Sequence, residues 1–111
     1  MSEITLLRVT FGDRAEAEEI ARAMVEERLA ACVTLTPGES IFAWQGEIAA
    51  ESEIVGLFKT RAGLAPELAA RIARRHSYDL PAITWWTAAA DDGVTAWIAA
   101  ETDGEDHAKV S

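Results

Sequence analysis

A long β-hairpin in the middle of the chain constrains the fold more than any other feature. The strand-like stretch "ACVTLTPGESIFAW" (residues 31–44) runs into Gln45-Gly46, where glycine can adopt the positive φ of a tight turn. The returning stretch "IAAESEIVGLFKT" (residues 48–60) would span roughly 43 Å as one continuous strand. A compact domain of this length has a diameter of about 35 Å. The hairpin is therefore predicted to extend beyond its own domain.

A hairpin of that length leaves unpaired backbone donors and acceptors along its edges, which favours pairing with another chain. Oligomerisation is the simplest remedy, and four tryptophans, Trp44, Trp85, Trp86 and Trp97, add weak support. Pro37-Gly38 cannot continue a central hydrogen-bond ladder, so we expect a bulge or a break there.

The flanking segments alternate between strand and helix. "ITLLRVTF" (residues 4–11) is typical of a buried strand, and the helix after Gly12 opens with Asp13 and Glu16 in a capping-box arrangement. Apolar residues then recur at helical spacing; they are Ala17, Ile20, Ala21, Met24 and Val25. The acids on the other side of this helix, which include Glu16 and Glu27, are expected to form a solvated face.

A second helix, "LAPELAARIARRH", carries an apolar stripe of Leu64, Leu68 and Ile72 and ends in an arginine cluster expected to be solvent-exposed. A strand, "AITWWTA" (residues 82–88), and a short helix, "DDGVTAWIAAET", follow. The order βαββαβ predicts an α+β, ferredoxin-like sandwich with both main helices on one face of an antiparallel sheet, plus a short C-terminal helix. Residues 1–102 are expected to form this single domain, and 103–111 a flexible acidic tail.

Composition limits the possible partners. A net charge of -9 argues against nucleic-acid binding, which depends on clustered Lys and Arg. No stretch approaches the length of a membrane span, and no signal-peptide-like apolar run follows Glu3 near the N-terminus. The single cysteine cannot form an internal disulfide. These features predict a soluble, cytoplasmic protein without membrane or nucleic-acid partners.

Two places could carry chemistry. Cys32 should begin a central strand, where a thiol is usually a small buried hydrophobe; as a metal ligand for copper or zinc it would need His76, and two ligands do not complete a tetrahedral site. His76 is either a cation at a helix C-terminus or part of a pocket with Tyr78 and Asp79. Lys59 either lies along the strand surface or acts in the same site. The residues alone leave these alternatives open.

Several blocks together resemble the CutA family of divalent-cation tolerance proteins: "LAACVTLTPGESIFAWQGEI", Glu53 leading to "LFKT", "HSYDLPAI", and "AWI" with Trp97. The resemblance covers about residues 4–101. It implies a ferredoxin-like subunit, a homotrimer similar in shape to the PII signalling proteins, and an association with copper and other divalent ions. No enzymatic reaction and no obligatory cofactor come with it.

The resemblance also implies site residues. The family's cysteine falls on Cys32, and the first position of its His-Pro-Tyr-Glu-x-Pro-Glu motif on His76; both are candidate metal ligands. A candidate intersubunit pocket comprises Trp44, Glu53, Lys59, Tyr78 and Asp79. This chain departs from the motif at Ser77, at Asp79, which shortens the carboxylate arm, and at Ala82, which removes a carboxylate.

The expected function is a trimeric, non-enzymatic module that responds to metal ions, with weak copper binding and PII-like signalling. Two alternatives remain. One is an enzyme or ligand-binding protein that uses the intersubunit cleft, with Lys59 or His76 as the acid-base group. The other is a purely structural trimer.

Overall fold

The computed structural model describes residues 2–102 and confirms the predicted order of elements. The elements are β1 (Ser2–Phe11), α1 (Arg14–Glu26), β2 (Cys32–Trp44), β3 (Glu47–Thr60), α2 (Ala65–Arg75), β4 (Thr84–Ala90) and α3 (Asp92–Glu101). The four strands form one antiparallel sheet in the order β2-β3-β1-β4. This is the predicted ferredoxin-like α+β sandwich with a short C-terminal helix. The predicted acidic tail, 103–111, lies outside the described residues.

The core lies between the sheet and the helices α1 and α2. Alternate residues of β1, Leu7, Val9 and Phe11, point to one side of the sheet and are fully buried, as is Phe58 of β3. They pack with Ile20 and Met24 of α1 and with Leu68 and Ile72 of α2. Both helices therefore cover the same face, as predicted. None of the described helices is long and apolar enough to cross a membrane.

Helix α1 begins at the predicted cap, Asp13, but the carboxylate of Glu16 has a different partner from the one expected. The carboxylate of Asp13 accepts a hydrogen bond from the backbone N–H of Glu16 at 2.8 Å, which caps the helix. The carboxylate of Glu16 is held by Ser77 instead of completing a capping box. Val25, expected in the apolar stripe, is 40% exposed, whereas its neighbour Met24 is fully buried.

The arginine cluster at the end of α2 ties the two helices together. Arg71 and Arg75 donate to the two oxygens of Glu27, at 2.8 and 2.6 Å. The predicted solvent-exposed faces of both helices are thus partly paired with each other. Such half-exposed ion pairs each contribute at most about 1 kcal/mol.

The hairpin runs without a break. Its pairing continues from Cys32 opposite Lys59 to Trp44 opposite Glu47, through Pro37. The prediction of a bulge or break at Pro37-Gly38 was wrong. Strand β2 lies at the edge of the sheet, where a residue without an N–H need not interrupt a hydrogen-bond ladder. The two-residue turn is as predicted: Gln45 and Gly46 have φ of 51° and 83°.

Half of this hairpin extends beyond the body of the domain. Pairing between β1 and β3 ends at Phe11 opposite Ile54, so residues 38–53 form a two-stranded ribbon, here called the hairpin arm. The molecule measures 45 Å along its longest axis, and its radius of gyration is 14.8 Å, against about 13 Å for a compact chain of this length.

Candidate functional site

The loop that follows α2 is fixed to the body of the domain from two sides. His76 ends the helix, and its backbone N–H still donates to the carbonyl of Ile72 at 3.0 Å. The carboxylate of Glu16 then accepts hydrogen bonds from the backbone N–H of Ser77 at 2.6 Å and from its hydroxyl at 2.9 Å. Helix α1 therefore determines where the next residues of the loop lie.

The imidazole of His76 is buried and uses both of its nitrogens. The backbone N–H of Tyr78 donates to Nδ1 at 3.1 Å, so Nδ1 is the acceptor. Nε2 must then carry the proton, and it donates to the carbonyl of Thr10 at 2.8 Å. The ring also stacks on Phe11, with centroids 5.0 Å apart. These contacts hold the ring as a structural link between β1 and the loop.

Tyr78 crosses the end of β1 and reaches β3. Its hydroxyl donates to Oε2 of Glu53 at 2.7 Å. The ring lies over Gly12, where a Cβ atom would be 3.2 Å from the tyrosine oxygen. A larger residue at this position would press against the ring, so Gly12 leaves room for Tyr78 beside Glu53.

The surroundings of Tyr78 favour its neutral form. Burial raises the pKa of the phenol above its ordinary value of 10.0, and the hydrogen bond to Glu53 and that residue's charge raise it further. The charges of Glu51 and Glu16 act in the same direction. Tyr78 is therefore a hydrogen-bond donor to a carboxylate and not an acid-base group at neutral pH.

A cleft of about 1010 Å³ opens beside this pair. One wall is the inner face of the hairpin arm, with Phe42 and Trp44; the other is the loop 78–83. The floor comes from the face of β1 opposite the helices, where Arg8 and Thr10 lie. Its size is at the upper end of the range usual for small-molecule sites.

Comparison with known proteins places the chain in a family. The model of the family described as "CutA1 divalent ion tolerance protein" matches residues 5–101. The chain belongs to the CutA1 family. The divalent-cation tolerance protein CutA of Thermus thermophilus is 43% identical over 84 residues, which is 75% of this chain and 80% of the relative.

Solved CutA structures share the fold. CutA from Xylella fastidiosa superposes with a TM-score of 0.88 at 36% identity, covering 92% of this chain and 100% of the other. The periplasmic divalent cation tolerance protein CutA from Archaeoglobus fulgidus gives 0.87 at 30% identity, with the same two coverages.

Most of the pocket residues expected from the CutA resemblance lie together. Trp44, Glu53, Tyr78 and Asp79 all line the cleft. Lys59 does not: it lies further along β3, opposite Cys32 on one side and Leu6 on the other. The sheet register therefore separates the predicted lysine from the predicted pocket.

The two candidate metal ligands do not meet within one chain. Cys32 pairs with Lys59, whereas His76 is bonded to Thr10, which pairs with Val55. Four residues of β3 separate these positions, about 13 Å. Both ring nitrogens of His76 already have partners. Within residues 2–102, no three His, Cys, Asp or Glu side chains are grouped as a metal would require.

The setting of Cys32 also differs from the prediction. The thiol is half-buried and begins an edge strand, not a central one. The lysine directly opposite it brings a positive charge to the same face of the sheet. The side chains of residues 2–102 in one copy of this chain therefore do not fit a resident metal.

Sequence reasoning missed several residues of the cleft. Glu51 lies two residues before Glu53 on the same face of β3, and Ser40 pairs with it from β2. Arg8 is the only charged residue in "ITLLRVTF". A period of two along a strand is sufficient to find Glu51, and a single arginine within an apolar strand is sufficient to single out Arg8. No local sequence pattern predicts the hydrogen bonds between Glu16 and Ser77, because the two residues are distant in sequence.

Proposed function

We propose that this chain is a homotrimeric, non-enzymatic module of the response to divalent cations, with copper as its candidate metal and PII-like signalling as its mode of action. Membership of the CutA1 family supports the link to divalent cations, and relatives carry the name divalent-cation tolerance protein. The proposed compartment is the cytoplasm, consistent with a chain that has one cysteine and requires no disulfide.

The proposed assembly is supported chiefly by the exposed apolar surface of the hairpin arm. On one face Ile41 and Ile48 are 77% and 82% exposed, and on the other Trp44 is 49% exposed. An isolated two-stranded ribbon is marginally stable in water, and exposed apolar residues on both of its faces favour association with other protein surfaces. The arm is therefore suited to lie between surfaces of neighbouring subunits.

A closed ring satisfies this requirement. An arm that reaches forward onto the next subunit makes a head-to-tail contact, which ends only if the ring closes. The neighbour also offers apolar surface, because Trp85 and Trp86 of the edge strand β4 are each nearly half exposed. The family resemblance supports three subunits per ring.

The non-enzymatic assignment draws support from the two residues expected to act in acid-base catalysis. His76 has a hydrogen-bond partner at each ring nitrogen, and Lys59 lies outside the cleft. Neither is placed to exchange a proton with a molecule in the cleft.

Copper binding is the part of the proposal that a titration tests. We expect Cu(I) to bind weakly through the half-buried thiol of Cys32, and His76 to take no part as its partner. Cys32→Ala should abolish the uptake measured by equilibrium dialysis under reducing conditions. Ser40→Ala is the matched control, since it changes a half-buried polar residue of the same strand, and should leave uptake unchanged. Equal uptake by the Cys32 variant and the control would refute copper binding at Cys32.

A further inference from the structure

The end of α2 carries a sequence that suits an arginine-directed serine kinase. Arg74 and Arg75 stand three and two residues before Ser77, and the aromatic Tyr78 follows it. Such kinases select substrates by their charge pattern, with carboxylates that bind arginines at these two positions and an apolar pocket for the residue after the serine. No other serine or threonine of the chain follows an arginine pair at this spacing.

The structure leaves this segment accessible. Helix α2 ends at Arg75, and residues 76–83 form neither helix nor strand. Ser77 and both arginines are exposed. A kinase binds its substrate segment in an extended form, so the two arginines must leave the last turn of α2, and Arg75 must part from Glu27. Helix ends open more readily than helix interiors, so this opening involves the least stable part of α2.

Ser77 is also the residue that fixes the loop to α1. Its hydroxyl donates to Oε1 of Glu16 at 2.9 Å, and its backbone N–H donates to Oε2 at 2.6 Å. A phosphate on this hydroxyl carries a charge of about −1.5 to −2 near pH 7 and leaves the oxygen without a proton to donate. The phosphate and the carboxylate of Glu16 would repel each other at this distance. Phosphorylation should therefore break the link between the loop and α1.

We propose that Ser77 is a phosphorylation site for an arginine-directed serine kinase, and that the phosphate releases the loop 77–83 from α1. In the transfer, the hydroxyl oxygen of Ser77 forms a bond to the γ-phosphorus of ATP, and the bond from that phosphorus to the β,γ-bridging oxygen breaks. ADP leaves with the bridging oxygen, and the catalytic base of the kinase takes the hydroxyl proton. The inference goes beyond the proposed function and depends on neither the assembly nor copper.

Incubation of the assembled protein with Mg²⁺-ATP and the catalytic subunit of cyclic-AMP-dependent protein kinase tests the site. Mass spectrometry should find one phosphate per chain, and peptide mapping should locate it at Ser77. Arg74→Ala should lower kcat/KM for phosphorylation by about tenfold or more, the scale of one lost charge-assisted hydrogen bond. Arg22→Ala, at an exposed arginine of α1, makes the same change in net charge and should be phosphorylated like the wild type.

Amide hydrogen exchange tests the release of the loop. After phosphorylation, the amides of residues 77–83 should exchange on the order of tenfold faster than in the unmodified protein, because the hydrogen bonds to Glu16 are lost. Glu16→Gln removes the charge that repels the phosphate. This variant should still be phosphorylated at Ser77, and its loop should accelerate less than that of the wild type.

The heat-unfolded protein serves as the positive control for the kinase. Phosphorylation of the unfolded chain alone, phosphorylation at another residue, or equal rates for the Arg74 variant and the wild type would overturn the assignment of the site. A phosphate at Ser77 that leaves the exchange of the loop unchanged, or that accelerates the wild type and the Glu16 variant equally, would overturn the release from α1. Peptide mapping locates the phosphate in the wild-type protein, so the result does not depend on whether a Ser77 variant folds.

Discussion

The body of the domain and the hairpin arm solve the problem of apolar surface in opposite ways. In the body, Leu7, Val9 and Phe11 are completely buried by helices of the same chain. In the arm, Ile41 and Ile48 expose most of their surface although they lie in strands of the same sheet. Since burial of apolar surface is the main stabilising term in folding, we expect the body to be stable by itself and the arm to need another surface. The comparison divides the chain into a part with its own core and a part that we propose to be the assembly surface.

Truncating the core of the body should have the largest effect on stability. Leu68 is fully buried in the layer between α2 and the sheet. Leu68→Ala should lower the free energy of unfolding by about 2–5 kcal/mol, through lost transfer energy and the cavity that remains. Val25→Ala, at an exposed position of α1, should cost less than about 1 kcal/mol. Urea titrations at one protein concentration measure both, and equal costs would contradict the placement of Leu68 in the core of the body.

Charging the arm should act on assembly and leave the body folded. Ile48→Asp places a carboxylate where the account buries an isoleucine against a neighbour, so the association should weaken on the order of 100-fold or more, the scale of an interface hot spot. Sedimentation over a dilution series measures the association, and far-UV circular dichroism should be unchanged. Ala15→Asp, an exposed alanine of α1, is the control of equal charge. An Ile48 variant that assembles like the control would show that the arm is not an interface.

The tight packing of the body can be tested from the opposite direction, by adding an atom. A Cβ at Gly56 would lie 3.0 Å from carbons of both Phe11 and Phe58. Gly56→Ala should cost about 1–3 kcal/mol by overpacking. Gly93→Ala in α3 meets no heavy atom within 4 Å and should stabilise by about 0.5–1 kcal/mol. Thermal and urea unfolding decide the sign; a stabilising change at Gly56 would mean that the core is looser than described.

The smallest predicted effect on stability concerns Tyr78. This residue joins the two regions, because it links the loop of the body to Glu53 at the base of the arm. It is the only tyrosine of the chain, so the change in near-ultraviolet absorbance when a phenol ionises reports Tyr78, above the constant absorbance of the tryptophans. Its folded pKa is raised above the unfolded value of about 10, so its contribution to stability is complete below pH ~10 and declines as pH rises above that.

Two outcomes of the tyrosine titration check this link. In the native protein, ionisation should not occur at pH ~10 but only at higher pH or together with unfolding. Glu53→Gln removes the charge that accepts the hydrogen bond and should bring the pKa of Tyr78 closer to its ordinary value. Ionisation of the wild-type phenol at its ordinary pH would show that Tyr78 and Glu53 are not bonded in solution.

Those parts of the fold that depend on neighbouring residues were predictable from the sequence. The cap at Asp13 and the Gln45-Gly46 turn are both local patterns, and each appears where it was expected. The length of the hairpin was predictable for the same reason, because it depends only on residues per strand.

Features that depend on the position of an element in the sheet were not predictable. Pro37 is tolerated because β2 is an edge strand, and strand order is a property of the whole chain. Glu16 could have closed a capping box, but Ser77, distant in sequence, takes its carboxylate. Cys32 and His76 were paired on residue type and on the family resemblance, while the structure places Cys32 on β2 and His76 beside Thr10 of β1.

The mass of the untreated protein in solution tests the central claim most directly. If the arm is stable only between neighbouring subunits, multi-angle light scattering at micromolar concentration should give about three times the 12.0 kDa mass of the chain. A mass of one chain would contradict the account, because the arm would then keep its apolar residues exposed to water on both faces.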